Sequence, residues 1–286
     1  QGALPGERVS YRITDERKSW AQAQVDAVLE SSPDRVAPLC PYYGICGGCD
    51  FMHLDSAAQV RAKQELFQDA LQRTAGLSTE DFEMVPPASA QAWEYRSRVA
   101  FHVDVRQERV GFLGQNSHDL VEIPACPVLV PRLSQLLQKP AEWLFGNARR
   151  HGRLSRGNRN SMGPGISSSF VRLPVFAGDH EVTCDDSPVT ATVAAVPFKV
   201  SASVFFQSNQ VLMPVLVDFV RSSLVGTHIM DLYAGVGTFS AYAERDGYQV
   251  TAVEREPRCL DLASINAPGT RFFTSPAESW RPRKGV

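Results

Sequence analysis

The stretch 228–254, HIMDLYAGVGTFSAYAERDGYQVTAVE, constrains the fold of this chain more than any other. An apolar run ends in a turn with Gly235 and Gly237, a helix is expected from Thr238, and a second strand leads to Glu254. Glycines in such a turn let backbone amides approach a ligand closely. Glu254 follows Gly235 by nineteen positions, a spacing at which an acid can accept both hydroxyls of a ribose. The pattern predicts a nucleotide-cofactor site.

The residues around the glycines indicate which cofactor this turn binds. Dinucleotide sites normally carry G-x-G-x-x-G, and Ser240 stands here in place of the third glycine. Asp231, four residues before Gly235, suits the cationic amino-acid moiety of S-adenosylmethionine. We therefore assign Asp231, Gly235 and Gly237 to S-adenosylmethionine, in preference to a nicotinamide or flavin dinucleotide or to a purely structural turn.

Length and charge restrict the class of protein. At 286 residues the chain is long enough for more than one domain. Its net charge of −2 means that any nucleic-acid binding must come from a local patch. No apolar run reaches the roughly 18 residues of a transmembrane helix, and the start lacks the pattern of a signal peptide. The missing initiator methionine and the abrupt ends indicate a fragment, truncated at both ends.

Three cysteines lie close together in the glycine-rich segment CPYYGICGGC, spaced C-x5-C-x2-C. They are Cys40, Cys46 and Cys49. Without a secretory signal, disulfides are disfavoured and a metal or iron–sulfur centre is the better interpretation. The fourth ligand is either His53, which would complete a zinc site, or Cys126, which would complete a four-thiolate set. We favour Cys126 and a 4Fe-4S cluster over zinc or free buried thiols, and interpret Cys184 and Cys259 as small buried hydrophobic residues.

The first third of the chain carries a hairpin pattern and a helix pattern. Two alternating segments, 8–14 and 21–29, predict a hairpin that belongs to a small barrel. An amphipathic helix is expected from its cap Ser56 to Gly76.

The rest of the chain predicts strands and one helix before the cofactor segment. Strands are expected within 82–131 and 167–200, and Asn209 is expected to cap a helix that ends near Gly226. A last strand around 271–274 gives a sheet of three strands at most, with an open edge and an uncovered face.

A basic patch lies in 132–160, where seven basic residues accompany the single acid Glu142. They are Arg132, Lys139, Arg149, Arg150, Arg153, Arg156 and Arg159. The Gly-, Asn- and Ser-rich tail of this stretch indicates a mobile loop of the kind that wraps a phosphate backbone. A solvated loop without a partner is the alternative, and charge alone does not separate the two.

Six motifs occur in the right order to resemble the RNA 5-methyluridine methyltransferase family, closest to its iron–sulfur branch that acts on 23S ribosomal RNA. They are LPGERV, CPYYGICGGCDFMHL, WEYRSR, GFLGQNSHDLVEIPACPVL, SVFFQSNQ and MDLYAGVGTFS. The resemblance covers nearly the whole chain and implies an α+β multidomain fold. Its parts are a partial TRAM (OB-like) β-barrel in 1–34, a β-rich central RNA-binding domain with the iron–sulfur loop in 35–200, and an incomplete Rossmann-like α/β methyltransferase domain in 201–286.

The resemblance also implies roles for individual residues. The cluster ligands fall on Cys40, Cys46, Cys49 and Cys126. The contacts to S-adenosylmethionine fall on Gln207, Tyr233, Thr238 and Glu254. Phe205 matches a position near the flipped target base. Arg96 and, from the charge of the basic patch, Arg149, Arg150, Arg153 and Arg156 complete the set that we assign to RNA binding. The family often carries Asn at position 238 and Cys at position 234, where this chain has Thr238 and Ala234.

The family's chemistry is understood as addition of a cysteine thiolate to uridine C6, methyl transfer to C5 and removal of the C5 proton by a base. In the family these groups lie in later segments, and none of those segments is present in this sequence up to Val286. We therefore assign no catalytic residue and expect this chain alone to be inactive. Cys259 is not a substitute, because it follows the second strand on a short helix.

The expected function is therefore methylation of uridine C5 in RNA, most simply 23S ribosomal RNA, by the complete protein. A non-catalytic iron–sulfur RNA-binding module is the alternative, and Ser240 opposes an iron–sulfur oxidoreductase with a dinucleotide. We expect a cytoplasmic monomer that binds RNA and no membrane.

Overall fold

A computed structural model of the chain describes residues 2–156 and 170–281, without the side chains of 152–156. The chain divides into two compact units. The first comprises Gln1–Ser89 and Phe112–Val121, and the second comprises Ala90–Gly111 and Glu122–Val286.

Twelve strands and six helices are present in the described residues. The strands are β1 (Arg8–Glu16), β2 (Ala21–Glu30), β3 (Arg98–Asp104), β4 (Arg109–Leu113), β5 (Leu120–Glu122), β6 (Val171–Ala177), β7 (Val182–Thr183), β8 (Val189–Val193), β9 (Val196–Val200), β10 (His228–Leu232), β11 (Gln249–Glu254) and β12 (Arg271–Thr274). The helices are α1 (Ser56–Ala75), α2 (Pro131–Gln138), α3 (Leu144–Arg156), α4 (Met213–Ser222), α5 (Thr238–Arg245) and α6 (Pro257–Asn266).

The predicted hairpin at the start of the chain is confirmed. Strands β1 and β2 pair antiparallel, with Tyr11 opposite Val25 and Ile13 opposite Ala23, and three register shifts interrupt the ladder. Alternating apolar and polar residues suit such a pair because successive side chains point to opposite faces. Within the described residues these two strands form a sheet by themselves, so no closed barrel is present.

Helix α1 forms as expected, but its cap differs by one residue. The Oδ1 atom of Asp55 accepts the backbone amides of Ala57 at 2.9 Å and Ala58 at 3.4 Å, so Asp55 is the N-cap and Ser56 is the first helical residue. Both residues are good caps, and the carboxylate has the reach for two amides. Gly76 ends the helix in the left-handed conformation, φ 68°, and donates to Gln72 O.

A five-stranded sheet has the order β5-β4-β3-β6-β7, and its strands β3, β6 and β7 belong to the second unit. Strand β3 pairs antiparallel with β4 and β6, with Phe101 opposite Leu173. The buried face of β3 carries Val99, Phe101 and Val103. Helices α2 and α3 contact the adjacent strand β6. The strands expected within 82–131 begin only at Arg98. Within 82–97, Arg96 alone forms isolated β-bridges, with Leu129 and Asn209.

The prediction of a mobile basic loop is wrong for its first part, because the residues Leu144–Arg156 form helix α3. Leu144, Phe145 and Ala148 are buried at 5% exposure or less, and α3 contacts β3 and β6. Glycine and asparagine are weak helix formers, but burial of an apolar face overrides propensity. The remainder of the loop, including Arg159, lies outside the described residues.

The three-stranded parallel sheet β10-β11-β12 is confirmed, with β10 at one edge. Met230 and Leu232 on β10 are 43% and 44% exposed, as expected for an open edge with an uncovered face. Helix α4 begins at Met213 rather than at Asn209, which instead accepts the amide of Leu212 at 3.2 Å through Oδ1.

One core joins the hairpin β8–β9 to helices α4, α5 and α6. It includes Phe198 on β9, Tyr242 on α5 and Leu262 on α6, and the Tyr242 hydroxyl donates to Val193 O at 2.5 Å. Asn266 at the end of α6 donates to Val236 O at 2.8 Å and to Lys199 O at 3.1 Å. The division into 1–34, 35–200 and 201–286 stays a prediction.

Candidate functional site

The turn between β10 and α5 contains two glycines in the left-handed conformation, with open space beside the first of them. Gly235 and Gly237 have φ of 56° and 75°, which favour glycine because a Cβ is strained there. A Cβ at Gly235 would meet nothing within 4 Å, whereas a Cβ at Gly237 would lie 3.2 Å from that of Ala263 on α6. Gly237 therefore permits close helix packing, while Gly235 leaves open space beside the turn.

The Glu254 carboxylate at the end of β11 organises this turn. Its Oε2 accepts the amide of Gly235 at 2.9 Å, and its Oε1 accepts the amides of Arg255 at 2.8 Å and Glu256 at 2.9 Å. A carboxylate offers about four acceptor positions, so one remains, on Oε2. That position on Oε2 is free to accept a hydrogen bond from a ligand.

Asp231 and Ser240 form a pair that the sequence analysis did not anticipate. Asp231 Oδ2 accepts both the amide of Ser240, at 3.1 Å, and its hydroxyl, at 2.6 Å. Burial raises the pKa of Asp231, and the nearby Glu254 adds to that rise. The serine in place of a third glycine therefore ties the first turn of α5 to the end of β10.

Tyr233 and Thr238 flank the glycines in different environments. Tyr233 has φ of 61°, an unusual conformation for a bulky residue, and its side chain is 66% exposed. Its hydroxyl donates to Glu278 Oε1 at 2.8 Å, and this hydrogen bond raises the pKa of Tyr233. Thr238 is buried at the start of α5.

Residues 204–207 alternate between buried and exposed side chains. Val204 and Phe206 are 2% and 3% exposed and belong to the core, whereas Phe205 is 66% exposed and Gln207 is also exposed. An extended segment presents alternate side chains to opposite sides. Phe205 and Gln207 therefore point away from the core.

Cys259 on α6 connects this segment to the glycine turn. The Phe205 backbone amide and the Glu254 carboxylate both lie close enough to the Cys259 thiol to influence its pKa. Burial raises the pKa of Cys259 to about 11, and the side chain is buried, as the sequence indicated. Val204, Phe206, Val236 and Cys259 belong to one core, which connects the segment that carries Phe205 to the glycine turn.

The cysteine segment of the first unit is a chain of tight turns. Cys46 N donates to Tyr42 O at 2.8 Å, Tyr43 N to Cys40 O at 3.1 Å, and Gly47 N to Leu113 O at 3.0 Å. Cys40, Cys46 and Cys49 are half-buried, and burial raises the pKa of Cys46, with Cys40 near enough to contribute.

Two further residues bear on the expected metal centre. Cys126 belongs to the second unit and its amide donates to Ser134 Oγ at 3.5 Å. His53 is buried, its Nδ1 contacts the Tyr43 hydroxyl, and its Nε2 has no partner within the part of the chain that the structure describes. In that part, no three His, Cys, Asp or Glu side chains converge as they would on a single metal ion. A four-iron cubane does not require such convergence, because each thiolate binds a different iron.

The arginines assigned to RNA have different surroundings. Arg149 pairs with Glu108 at 3.2 Å and Arg150 with Asn147 Oδ1 at 2.5 Å, both on α3. Arg153 and Arg156 lie in the same helix, but their side chains are not among those that the structure describes. The buried Nε of Arg96 has no partner among the described residues, and neither does Nε2 of Gln210, which the sequence analysis did not single out.

Comparisons with known proteins add a second line of evidence. No protein-family model matches the sequence. The 23S rRNA (uracil(1939)-C(5))-methyltransferase RlmD of Shewanella halifaxensis is 31% identical over 303 residues, which cover 93% of this chain and 67% of that protein. The RlmD of Acidithiobacillus ferrooxidans is 31% identical over 301 residues, 93% of this chain and 68% of that protein. The chain belongs to the S-adenosylmethionine-dependent RNA uracil-C5 methyltransferase family.

The family assignment has a structural counterpart. The crystal structure of Pyrococcus abyssi tRNA (uracil-54, C5)-methyltransferase in complex with S-adenosyl-L-homocysteine matches with a TM-score of 0.67 at 19% identity, over 95% of this chain and 73% of that one. The mixed α/β fold is therefore shared with this methyltransferase.

The chain does not span the full length of its methyltransferase relatives. It covers 63% of the RlmD of Halomonas elongata, to which it is 29% identical. No helix in the described ranges 2–156 and 170–281 is both long and apolar enough to cross a membrane.

Proposed function

We propose that this chain binds S-adenosylmethionine and RNA as part of an enzyme that methylates uridine C5, with 23S ribosomal RNA as substrate. The observation that carries the proposal is the open turn at Gly235, which the Glu254 carboxylate holds, together with the exposed ring of Phe205 on a segment that shares the core of this turn. An aromatic ring can stack on an extruded base, and a turn of this kind can accept an adenosine.

The cofactor roles follow from the surroundings of each residue. Glu254 Oε2 accepts one ribose hydroxyl, and the open space beside Gly235 admits the nucleoside. Asp231 keeps Oδ1 for the amino group of the methionine moiety, because Oδ2 is occupied by Ser240. Tyr233, Thr238 and Gln207 complete the cofactor set. We propose that this arrangement belongs to a Rossmann-like domain.

The cysteines are proposed to hold a 4Fe-4S cluster through Cys40, Cys46, Cys49 and Cys126. Support comes from the donor set, since three half-buried thiols lie in one segment of tight turns and thiolates are the ligands that such clusters require. We also propose that the hairpin β1–β2 is part of a TRAM barrel, and that the protein is a cytoplasmic monomer.

This chain by itself is proposed to bind without transferring the methyl group. Uracil C5 becomes nucleophilic only after a thiolate adds to C6. Cys184 and Cys259 are buried, and burial raises the pKa of each to about 11, so neither is a thiolate at neutral pH. The alternative of a non-catalytic RNA-binding module shares this expectation and differs in needing no methyl donor.

Calorimetric titration of the purified chain with S-adenosylhomocysteine and, separately, with NADH tests the proposal. We expect binding of the first and none of the second. Binding of NADH alone, or of neither, contradicts the cofactor assignment. Formation of 5-methyluridine in ribosomal RNA by this chain above a no-protein control contradicts the binding-only role.

A further inference from the structure

Arg98 on β3 fastens the segment that carries Phe205 and Gln207. Its Nη1 donates to Val204 O, and its Nη2 donates to Ala202 O at 3.0 Å. The half-buried guanidinium thus bridges two carbonyls more than one hundred positions away in sequence. These carbonyls immediately precede the exposed Phe205.

Neighbouring contacts hold the carboxyl-terminal end of the same segment. The Ser97 amide and hydroxyl both donate to Ser208 O, at 2.8 Å and 3.1 Å, and Arg96 forms an isolated bridge with Asn209. On the other side, Val204 and Phe206 pack in the same core as Cys259. Only Arg98 contacts the carbonyls of 202–204 by a charged donor, according to the hydrogen bonds of the described residues.

The chemistry of guanidinium explains why arginine suits this place. Its planar fork donates two hydrogen bonds in fixed directions, and bonds from a charged donor are stronger than neutral ones. A segment held by both carbonyls keeps the alternation in which Val204 and Phe206 are buried and Phe205 and Gln207 are exposed. Losing the fork would let the exposed side chains change direction without unfolding the core.

We propose that Arg98 is a positioning residue that holds Phe205 and Gln207 in the orientation needed to bind the target base and the methyl donor. The inference rests on the proposed function, and it adds a residue that contacts neither ligand. Arg98 acts through the backbone of 202–206, so its effect is on affinity and local order.

The experiment compares Arg98→Met and Arg98→Lys with the control Arg172→Met. Arg172 is exposed on the adjacent strand β6, opposite His102. Thermal unfolding first establishes that each variant is folded. Hydrogen exchange of the peptides that span 201–209 and titration with S-adenosylhomocysteine are then measured on all four proteins.

We expect Arg98→Met to speed exchange in 201–209 and to weaken S-adenosylhomocysteine binding, each by about tenfold. Arg98→Lys should recover part of both effects, because an ammonium can serve one carbonyl but lacks the fork. Arg172→Met should change neither. If Arg98→Met fails to fold, the Lys variant decides, since wild-type exchange and affinity in that protein contradict the inference.

The outcomes separate the inference from the proposed function. Unchanged exchange and affinity in Arg98→Met, with a wild-type chain that binds S-adenosylhomocysteine, overturn the positioning role alone. A wild-type chain that does not bind S-adenosylhomocysteine overturns the proposed function, and the positioning role falls with it.

Discussion

The Glu254 carboxylate accepts the backbone amide of Gly235 at 2.9 Å, so the acid that ends β11 also fixes the glycine turn that follows β10. Two more amides, of Arg255 and Glu256, bind its other oxygen. The side chain proposed to recognise the ribose is therefore also the one that shapes the pocket wall. Changing it should alter binding through both effects.

Glu254→Gln should weaken S-adenosylhomocysteine binding by about tenfold or more. The amide has one acceptor oxygen where the carboxylate has two, so at least one of the three backbone amides loses its partner, and hydrogen bonds to a charged group are worth about 1.5–3 kcal/mol. Calorimetric titration measures the change. Glu65→Gln, the same substitution at an exposed position on α1, is the control, and equal affinity in both variants contradicts the assignment.

The spacing of Glu254 was recognisable because strand, turn, helix and strand are local patterns with short connections. The bounds of β12 and the left-handed Gly76 were likewise predictable from neighbouring residues. Helix α3 was not, because its Gly and Asn residues indicate a loop and only the burial of Leu144 and Ala148 against the sheet explains the helix. Arg98 was missed for a related reason, since its partners Ala202 and Val204 are remote in sequence.

Glu7 should make the stability of the first unit depend on acid pH. Its side chain is buried and bonded to Arg35, whose hydrogen bonds lower the pKa of Glu7 from 4.5 to about 2. A depressed folded-state pKa contributes stability that is complete above pH 4.5 and is lost as the pH falls toward 2.

Glu7→Gln should therefore lower stability at pH 7 by about 3 kcal/mol, because Arg35 loses its charged partner, and should flatten the loss of stability between pH 4.5 and 2. Thermal unfolding measured across this range reveals both effects. The control is Glu30→Gln, which removes the exposed partner of Arg8. An acid dependence that is the same in Glu7→Gln and in the wild type would count against the role of this pair.

Cys126→Ser should lower the iron content and the brown colour of anaerobically purified protein. A 4Fe-4S cluster carries about four iron atoms per chain and needs four thiolate ligands, so loss of one should reduce cluster occupancy. Iron and zinc are measured by elemental analysis. The control is Cys184→Ser, because Cys184 is a buried cysteine of the second unit that is not one of the proposed cluster ligands. Stoichiometric zinc without iron would instead favour a site that includes His53.

The spacing of Arg149, Arg153 and Arg156 by four and three residues places these positions along one side of α3. We therefore expect this side of α3, called the α3 stripe, to contribute to RNA binding in place of a wrapping loop. Replacing all three by Gln keeps a good helix former at each position and removes only the charge. Each arginine that contacts a phosphate contributes about 0.7 to the slope of log affinity against log salt for single-stranded RNA, so the triple variant should lower the slope by about 2.

The matched control replaces Arg61, Lys63 and Arg73, three exposed basic residues on α1, by Gln. Fluorescence anisotropy with a labelled ribosomal RNA fragment at several salt concentrations measures both slopes. If the α3 variant and the α1 control fall by the same amount, the affinity comes from overall charge and the stripe has no special part in RNA binding.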